Sequence, residues 1–275
     1  MNAARWPPPL PSTFDMMRCT ILVENHALPG LTAEHGLSLL VEQNGEKLLF
    51  DTGAGKALAE NCKRLNINTM PEYVFLSHGH NDHTGGIGLP DDGKTVFAAD
   101  GIGKKRFSCH PGKPVRDLSM PENMLTFIRI SAPAEILPGM FATGPIPRLS
   151  GEDCGGPFFL DPEKKMPDTI ADEQALLLKE GVLIQGCCHA GIINTLEYCR
   201  KSMPEIKIHT IIGGLHLLSA DEKRLKQTAD YLRNSAVKRL YLLHCTGENA
   251  IAYLRAALPD CVIFTPVAGE QIVLP

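Results

Sequence analysis

Hydrophobic and polar positions along the chain fall into three stretches of unequal regularity. From Cys19 to Asp51 the pattern has the two-residue period and β-branched content of strands. Cys19-Thr-Ile-Leu-Val-Glu is apolar; Leu37-Ser-Leu-Leu-Val-Glu and Lys47-Leu-Leu-Phe-Asp flank the polar turn Asn44-Gly45-Glu46 and predict a hairpin. Thr52-Gly53 closes the second of these strands, and Leu58, Cys62 and Leu65 then share one helical face over Lys56–Leu65. Tyr73-Val-Phe-Leu reads as a further strand that runs directly into Ser77-His78-Gly79-His80-Asn81-Asp82-His83.

Between Leu89 and Lys179 the periodicity fades and Pro and Gly recur. A structureless loop of that length is unusual in a compact domain. The stretch is therefore expected to hold short strands, including Leu125–Ile130 and Ala175–Lys179, with insertions that shape a pocket. Regularity returns afterwards. Gly181–Gln185, Ile208–Ile212, Arg239–Leu243 and Cys261–Pro266 read as strands, separated by helices over Ile192–Lys201, Ala220–Asn234 and Glu248–Ala257. Strands alternating with helices predict an α/β fold. Neither an internal repeat nor a low-complexity linker marks a second domain, so residues 17–275 are expected to form one domain behind a disordered leader, residues 1–16.

Composition narrows the function classes. The net charge of −4 gives no basic excess, which argues against nucleic acid and anionic membrane as partners. No apolar run approaches the roughly 18–20 residues that span a bilayer. The Pro-rich Met1–Phe14 stretch lacks the apolar centre of a signal peptide. Nine scattered cysteines, an odd number with no secretion signal, read as reduced thiols of a cytoplasmic protein.

The chemistry concentrates in His78–His83. Alternate residues of an extended chain point the same way, so His78 and His80 can reach one ion. Asp82 and His83 follow where the chain turns into Thr84-Gly85-Gly86, and they can face a second ion beside the first. Imidazole and carboxylate suit zinc, with manganese or iron(II) as alternatives. Further ligands must come from elsewhere. The strands of the last third end in Cys187-Cys188-His189, Gly213-Gly214-Leu215-His216 and His244-Cys245-Thr246-Gly247, whose loops would gather at one sheet edge. His189 is the expected third ligand of the first ion. Either His216 or His244 would complete the second, the other being a proton donor or substrate contact; His216 is taken as the ligand, with Asp82 and His244 as catalytic groups. His26, His35, His110 and His209 lack this placement and read as structural or surface residues.

Asp51 ends a strand and can hold a ligand imidazole through a hydrogen bond, or simply cap the helix that follows. Cys187 is a candidate thiolate ligand or a small core residue. Lys104-Lys105-Arg106 reads as a solvated basic face, Arg148 as a candidate anion contact, and the pairs Gly155-Gly156 and Gly213-Gly214 as tight turns.

Together with Phe50-Asp51-Thr52-Gly53, the His78–His83 signature resembles the metallo-β-lactamase superfamily from about Cys19 to the C-terminus. The resemblance implies a four-layer αββα sandwich with a two-metal site along one edge. Leu22-Val-Glu-Asn25, Glu34-His-Gly-Leu-Ser38, Gly186-Cys-Cys-His-Ala-Gly191 and His244-Cys-Thr-Gly247 are further similar to the subgroup that includes the dihydropterin-linked ribofuranosylaminobenzene 5′-phosphate synthase. The sequence departs from superfamily hydrolases at two places. Gly186-Cys187-Cys188-His189 stands where they commonly carry a metal-bridging Asp, and Thr143–Arg148 where they carry a separate His.

The expected function is a hydrolase that binds two divalent ions and uses a metal-bound hydroxide on a small ester, lactone or phosphoester. The substrate is thus a small molecule, with a phosphorylated one included. Synthase-type bond formation with the metals as Lewis acids is one alternative. A metal-containing binding or regulatory protein with little turnover is the other.

Overall fold

Two seven-stranded mixed sheets face one another in the computed structural model, which describes residues 16–88, 93–122, 126–152 and 156–275. The first sheet runs in the order Gln271–Leu274, Met17–Val23, Ser38–Gln43, Glu46–Phe50, Tyr73–Phe75, Thr95–Ala99 and Ile128–Ile130. Its strands are antiparallel as far as Glu46–Phe50 and parallel beyond it. The second sheet mirrors this plan. Val262–Phe264, Arg239–Leu242, Thr210–Gly213 and Val182–Gln185 are parallel, while Ala175–Leu178, Met140–Ala142 and Ala134–Leu137 follow antiparallel.

The two-residue period of the sequence explains the layers. Leu48, Phe50 and Phe75 of the first sheet meet Leu176, Ile184 and Ile212 of the second in a shared inner core. Leu49 and Val74 face outward and pack with Leu58 and Cys62 of the helix Leu58–Arg64. On the far side Leu183, Ile211 and Leu240 pack against the helices Ile192–Ser202, Glu222–Arg233 and Glu248–Ala257. Burying each such Leu or Ile contributes about 1.5–3 kcal/mol. The result is the αββα sandwich.

Local chemistry sets the element ends. Asn44 (φ 53°) and Gly45 (φ 83°) supply the two positive φ angles of a type I′ turn, which registers Gln43 opposite Glu46. The first helix starts two residues later than its apolar spacing predicts. Glu34 accepts hydrogen bonds from the backbone of Ala54, Lys56 and Ala57, holding that segment as a loop. Asp221 caps Glu222–Arg233 by accepting from Arg224 N at 2.8 Å.

Sequence reading is least complete in the middle. Thr95–Ala99, Ala134–Leu137, Met140–Ala142 and the C-terminal Gln271–Leu274 are strands that it does not anticipate. They are short, and their partners lie far away in sequence. The stretch expected as an insertion thus gives strands to both sheets. It also forms a small third sheet of Phe107–Ser108, Arg116–Asp117 and Phe158–Phe159. The expected strand Leu125–Ile130 shortens to Ile128–Ile130, with Leu125 outside the described residues. So do Gly155, Leu89 and, apart from Met16, the whole expected leader. No helix among the described residues is long and apolar enough to cross a membrane.

Candidate metal centre

Parallel strands bring the functional residues to one edge, because all of them discharge their loops in one direction. Glu46–Phe50 ends at Asp51 and Tyr73–Phe75 leads into Ser77–His83. Val182–Gln185 ends at Cys187–His189, Thr210–Gly213 leads to His216, and Arg239–Leu242 leads to His244. Four of these residues, Asp51, Cys188, His216 and His244, take left-handed backbone angles between 47° and 63°. Such conformations cost a non-glycine residue about 1–2 kcal/mol. Their concentration here marks a site whose side-chain directions are set against local preference.

His78, His80 and His189 form one group, with a ring nitrogen from each within 4.8 Å of the others. His78 Nε2 lies 3.1 Å from His80 Nδ1. Ser77 gives its hydroxyl proton to Asp51 Oδ2 (2.7 Å), so its oxygen accepts from His78 Nδ1 at 2.9 Å. That leaves His78 Nε2 as the lone-pair atom facing the group. Burial, reinforced by the neighbouring imidazoles, holds His78 and His189 well below the usual histidine range and pushes His80 down to about 3. All three are therefore neutral donors at physiological pH.

A second group adjoins it. His83 Nδ1 donates to Asp51 Oδ2 at 2.6 Å, which turns Nε2 toward Cys187 Sγ, 3.1 Å away. His244 Nδ1 donates to Asn25 Oδ1 at 3.0 Å, and its Nε2 lies 3.3 Å from Asp82 Oδ2. The rings of His83 and His244 are 5.1 Å apart. His244, rather than His216, thus stands beside Asp82 and His83. The His216 ring lies 4.2 Å from that of His189, tilted by 48°, on the other side, where Phe158 lies 5.3 Å from His189 and 5.0 Å from His80.

Outer partners fix the loops. Arg106, buried, donates to Asp172 Oδ1 at 2.5 Å, while Asp172 Oδ2 accepts from the Gly79 backbone N–H at 2.9 Å. Glycine is required there: a Cβ on Gly79 would meet the Ile102 carbonyl oxygen at 2.0 Å. Glu173 accepts from the backbone N–H groups of His189 (2.5 Å) and Ala190. Burial raises its carboxyl to about 7 against those hydrogen bonds and the charge of Arg148.

The residues present fit a metal. His80 Nε2 and both ring nitrogens of His189 are buried without a hydrogen-bond partner among the described residues. An uncompensated buried polar atom costs roughly 1–3 kcal/mol, which a cation accepting these lone pairs would relieve. Neutral imidazoles, a carboxylate and nearby thiols form a donor set suited to zinc and its neighbours.

Several of these residues escaped sequence reading. His35, read as structural or surface, is exposed, but its Nε2 lies 3.4 Å from Asp82 Oδ2 and its ring 4.7 Å from that of His244. The basic run splits: Lys104 and Lys105 are exposed, but Arg106 is 1% exposed and serves the Gly79 loop. Phe158 and Glu173 carried no signal, since only tertiary contact brings them to the His loops. Position beside Asp82 or His189 could not be read for His244 and His216 either, although their strand ends were visible.

Fold and site together define a metallo-β-lactamase superfamily protein, and residues 31–89 match that superfamily's model. The chain is 31% identical over 247 residues to an uncharacterised protein, MJ0448, of Methanocaldococcus jannaschii, across 85% of this chain and 92% of that one. It is also 31% identical over 243 residues to the 7,8-dihydropterin-6-methyl-4-(β-D-ribofuranosyl)-aminobenzene-5′-phosphate synthase of the same organism, across 79% and 83% of the two chains. Among solved structures, Tm1679, described as a metal-dependent hydrolase of the β-lactamase superfamily, superposes with a TM-score of 0.82 at 30% identity, covering 93% of this chain and 98% of that one. The chain belongs to the metallo-β-lactamase superfamily.

Proposed function

We propose that this protein is a two-metal hydrolase of a small ester, lactone or phosphoester. The observation that carries this reading is the pair of adjoining donor groups, with buried imidazole nitrogens that have no partner among the described residues. The description of Tm1679 as a metal-dependent hydrolase supports it. His78, His80 and His189 would hold one ion, and Asp82, His83 and His244 the other. Zinc is the preferred metal, with manganese or iron(II) as alternatives. Two such ions would lower the pKa of an attacking water and stabilise negative charge developing on the substrate.

The chain's own residues supply positioning and proton traffic. Asp51 and Asn25 fix the imidazoles of His83 and His244 in the tautomer that presents Nε2 to the site. Asp82 Oδ2 lies between His244 Nε2 (3.3 Å) and the exposed His35 Nε2 (3.4 Å), a line of polar contacts from the site toward solvent. His216, beside His189 and Phe158, is assigned to the substrate side as proton donor or substrate contact. Phe158 packs beside the rings of His80 and His189 in the first group. Arg148, whose charge reaches Glu173, is in this reading the contact for an anionic substrate group. A small-molecule substrate, phosphorylated ones included, is the partner this reading implies. The free thiols of the described cysteines favour a reducing, cytoplasmic setting.

The synthase named among the relatives favours a second reading, bond formation on a pterin-type substrate with the metals as Lewis acids. Hydrolysis of simple esters, lactones and aryl phosphates, with His80→Ala as blank, separates the two. Turnover lost in the variant supports the hydrolase; equal rates in both proteins exclude it for that substrate.

A further inference from the structure

The most centrally placed donor atom of the site is a sulfur. Cys187 Sγ lies within 4.8 Å of ring nitrogens of His78 and His83, of His189 and His216, and of His244, as well as of Cys245 Sγ. It thus adjoins members of both donor groups, 3.1 Å from His83 Nε2, on a residue only 3% exposed. It also follows immediately on the strand Val182–Gln185, whose end delivers His189.

Charge explains why an anion belongs at this point. Two divalent ions carry four positive charges into a buried site, and the imidazoles around them are neutral. Desolvating that charge is expensive unless anions sit beside it. Among the described residues Asp82 is the one nearby carboxylate assigned to an ion, the second alone; the others are engaged elsewhere. Asp51 holds Ser77 and His83, Glu173 holds the His189 and Ala190 backbone, and Asp172 holds Gly79 and Arg106. Asp82 lies to one side, against His35 and His244. A thiolate is a strong ligand for zinc and for cobalt(II), and metal binding itself releases the thiol proton.

The geometry points to the Cys187 thiolate as the ligand shared between the two metal ions, the anionic bridge of this centre. This rests on the two-metal reading above. Cys245, whose thiol donates to the Cys187 carbonyl at 3.4 Å, is then a neighbour rather than a bridge.

Cobalt(II) loaded into the full-length protein reads the bond directly, because sulfur-to-cobalt charge transfer absorbs in the near ultraviolet. The band is expected in the wild type and in Cys245→Ser, and lost in Cys187→Ser. Equilibrium dialysis should show the second cobalt bound at least about tenfold more weakly in Cys187→Ala, the scale set by disturbing even outer partners of a ligand. Cys187→Asp, which restores an anion at the same point, should hold both ions without the band, and it serves if the neutral variants fold poorly. A band that persists in Cys187→Ser, or disappears only in Cys245→Ser, overturns the inference. Two cobalt ions bound to the wild type without any band overturn it too, but leave the two-metal reading standing. A wild type that binds no cobalt overturns both.

Discussion

His83 Nδ1 and Asp51 Oδ2 stand 2.6 Å apart with both side chains wholly buried, and this contact decides which nitrogen of His83 faces the metal site. Asp51 can do so because its own position is over-determined. It accepts from Ser77 N at 2.7 Å and from the Ser77 hydroxyl at 2.7 Å, while its backbone is held at φ 54°. Replacing Asp51 by Asn keeps the shape but lets an amide donor oppose the imidazole, which favours the wrong tautomer. The second ion should then bind roughly 10–100-fold more weakly. Competition with a chromophoric chelator measures this, and an unchanged affinity would show that Asp51 is merely structural.

The same pair gives the metal-free protein a defined response to base. Burial opposes a charge on His83, but the carboxylates of Asp51 and Asp82 outweigh it and hold the pKa up at about 9. A raised imidazole pKa contributes stability that is fully present below the unfolded value, near 6.5, and is lost as pH rises through about 9. Buried thiols such as Cys19, raised to about 12, also lose stability in alkali, so the decisive quantity is a difference. Between pH 6.5 and 9.5 the chelated wild type should lose more stability to denaturant than chelated Asp51→Asn. Parallel curves would refute the assignment.

On the acid side the sign reverses. His80 is held down at about 3, with His78 and His189 also well below 6.5, so the unfolded chain takes up protons that the native site refuses. Stability of the metal-free protein should therefore fall as pH drops from about 6.5 towards 3. Bound metal should oppose the loss at the upper end of this window, since it stabilises only the state with neutral ligands. Thermal unfolding at pH 7 and 5, with and without zinc, tests both statements. Equal Tm values for the chelated protein at the two pH values would contradict the first.

How much of this could be read from sequence follows from the range of each interaction. The hairpin around Asn44-Gly45 and the strands that end at His78, His189 and His244 were legible, because their signals are local. So was the capacity of His78-x-His80 to converge, which needs only an extended chain. The places of His216 beside His189 and of His244 beside Asp82 were not legible, since they depend on left-handed turns at both residues, φ 47° and 49°. Neither was Arg106, whose Lys104-Lys105 neighbours disguise a guanidinium buried on Asp172. Nor were Thr95–Ala99 and Gln271–Leu274, strands too short to announce themselves without the partners Tyr73–Phe75 and Met17–Val23.

Gly79 offers a steric test of the metal loop. It lies between two ligand candidates, with its N–H on Asp172 and no room for a Cβ against the Ile102 carbonyl. Gly79→Ala should therefore move the loop backbone, displacing His78 and His80 relative to His189. Bound metal should fall from two ions per chain, and Tm should fall even in chelator, because the clash exists without metal. Metal counting by mass spectrometry beside thermal unfolding separates the two effects. Metal content and Tm both at wild-type values would show that Ile102 yields at no cost.

Arg106 reaches the same loop from behind. Its guanidinium is 1% exposed, donates to Asp172 at 2.5 Å and lies 3.6 Å from Asp168 Oδ2. Removing one partner of a buried ion pair leaves the other charge uncompensated and typically costs about 3–5 kcal/mol. Arg106→Met should destabilise the protein on that scale in urea unfolding. It should also loosen the Asp172 hold on Gly79, so that metal affinity drops while all the proposed ligands remain. Arg106→Met combined with Asp172→Leu removes the stranded carboxylate at 172, and part of the lost stability should return. The metal affinity should not return with it, because the carboxylate that accepts from Gly79 N is then gone. Recovery of both together would mean that the Arg106–Asp172 pair acts only through global stability.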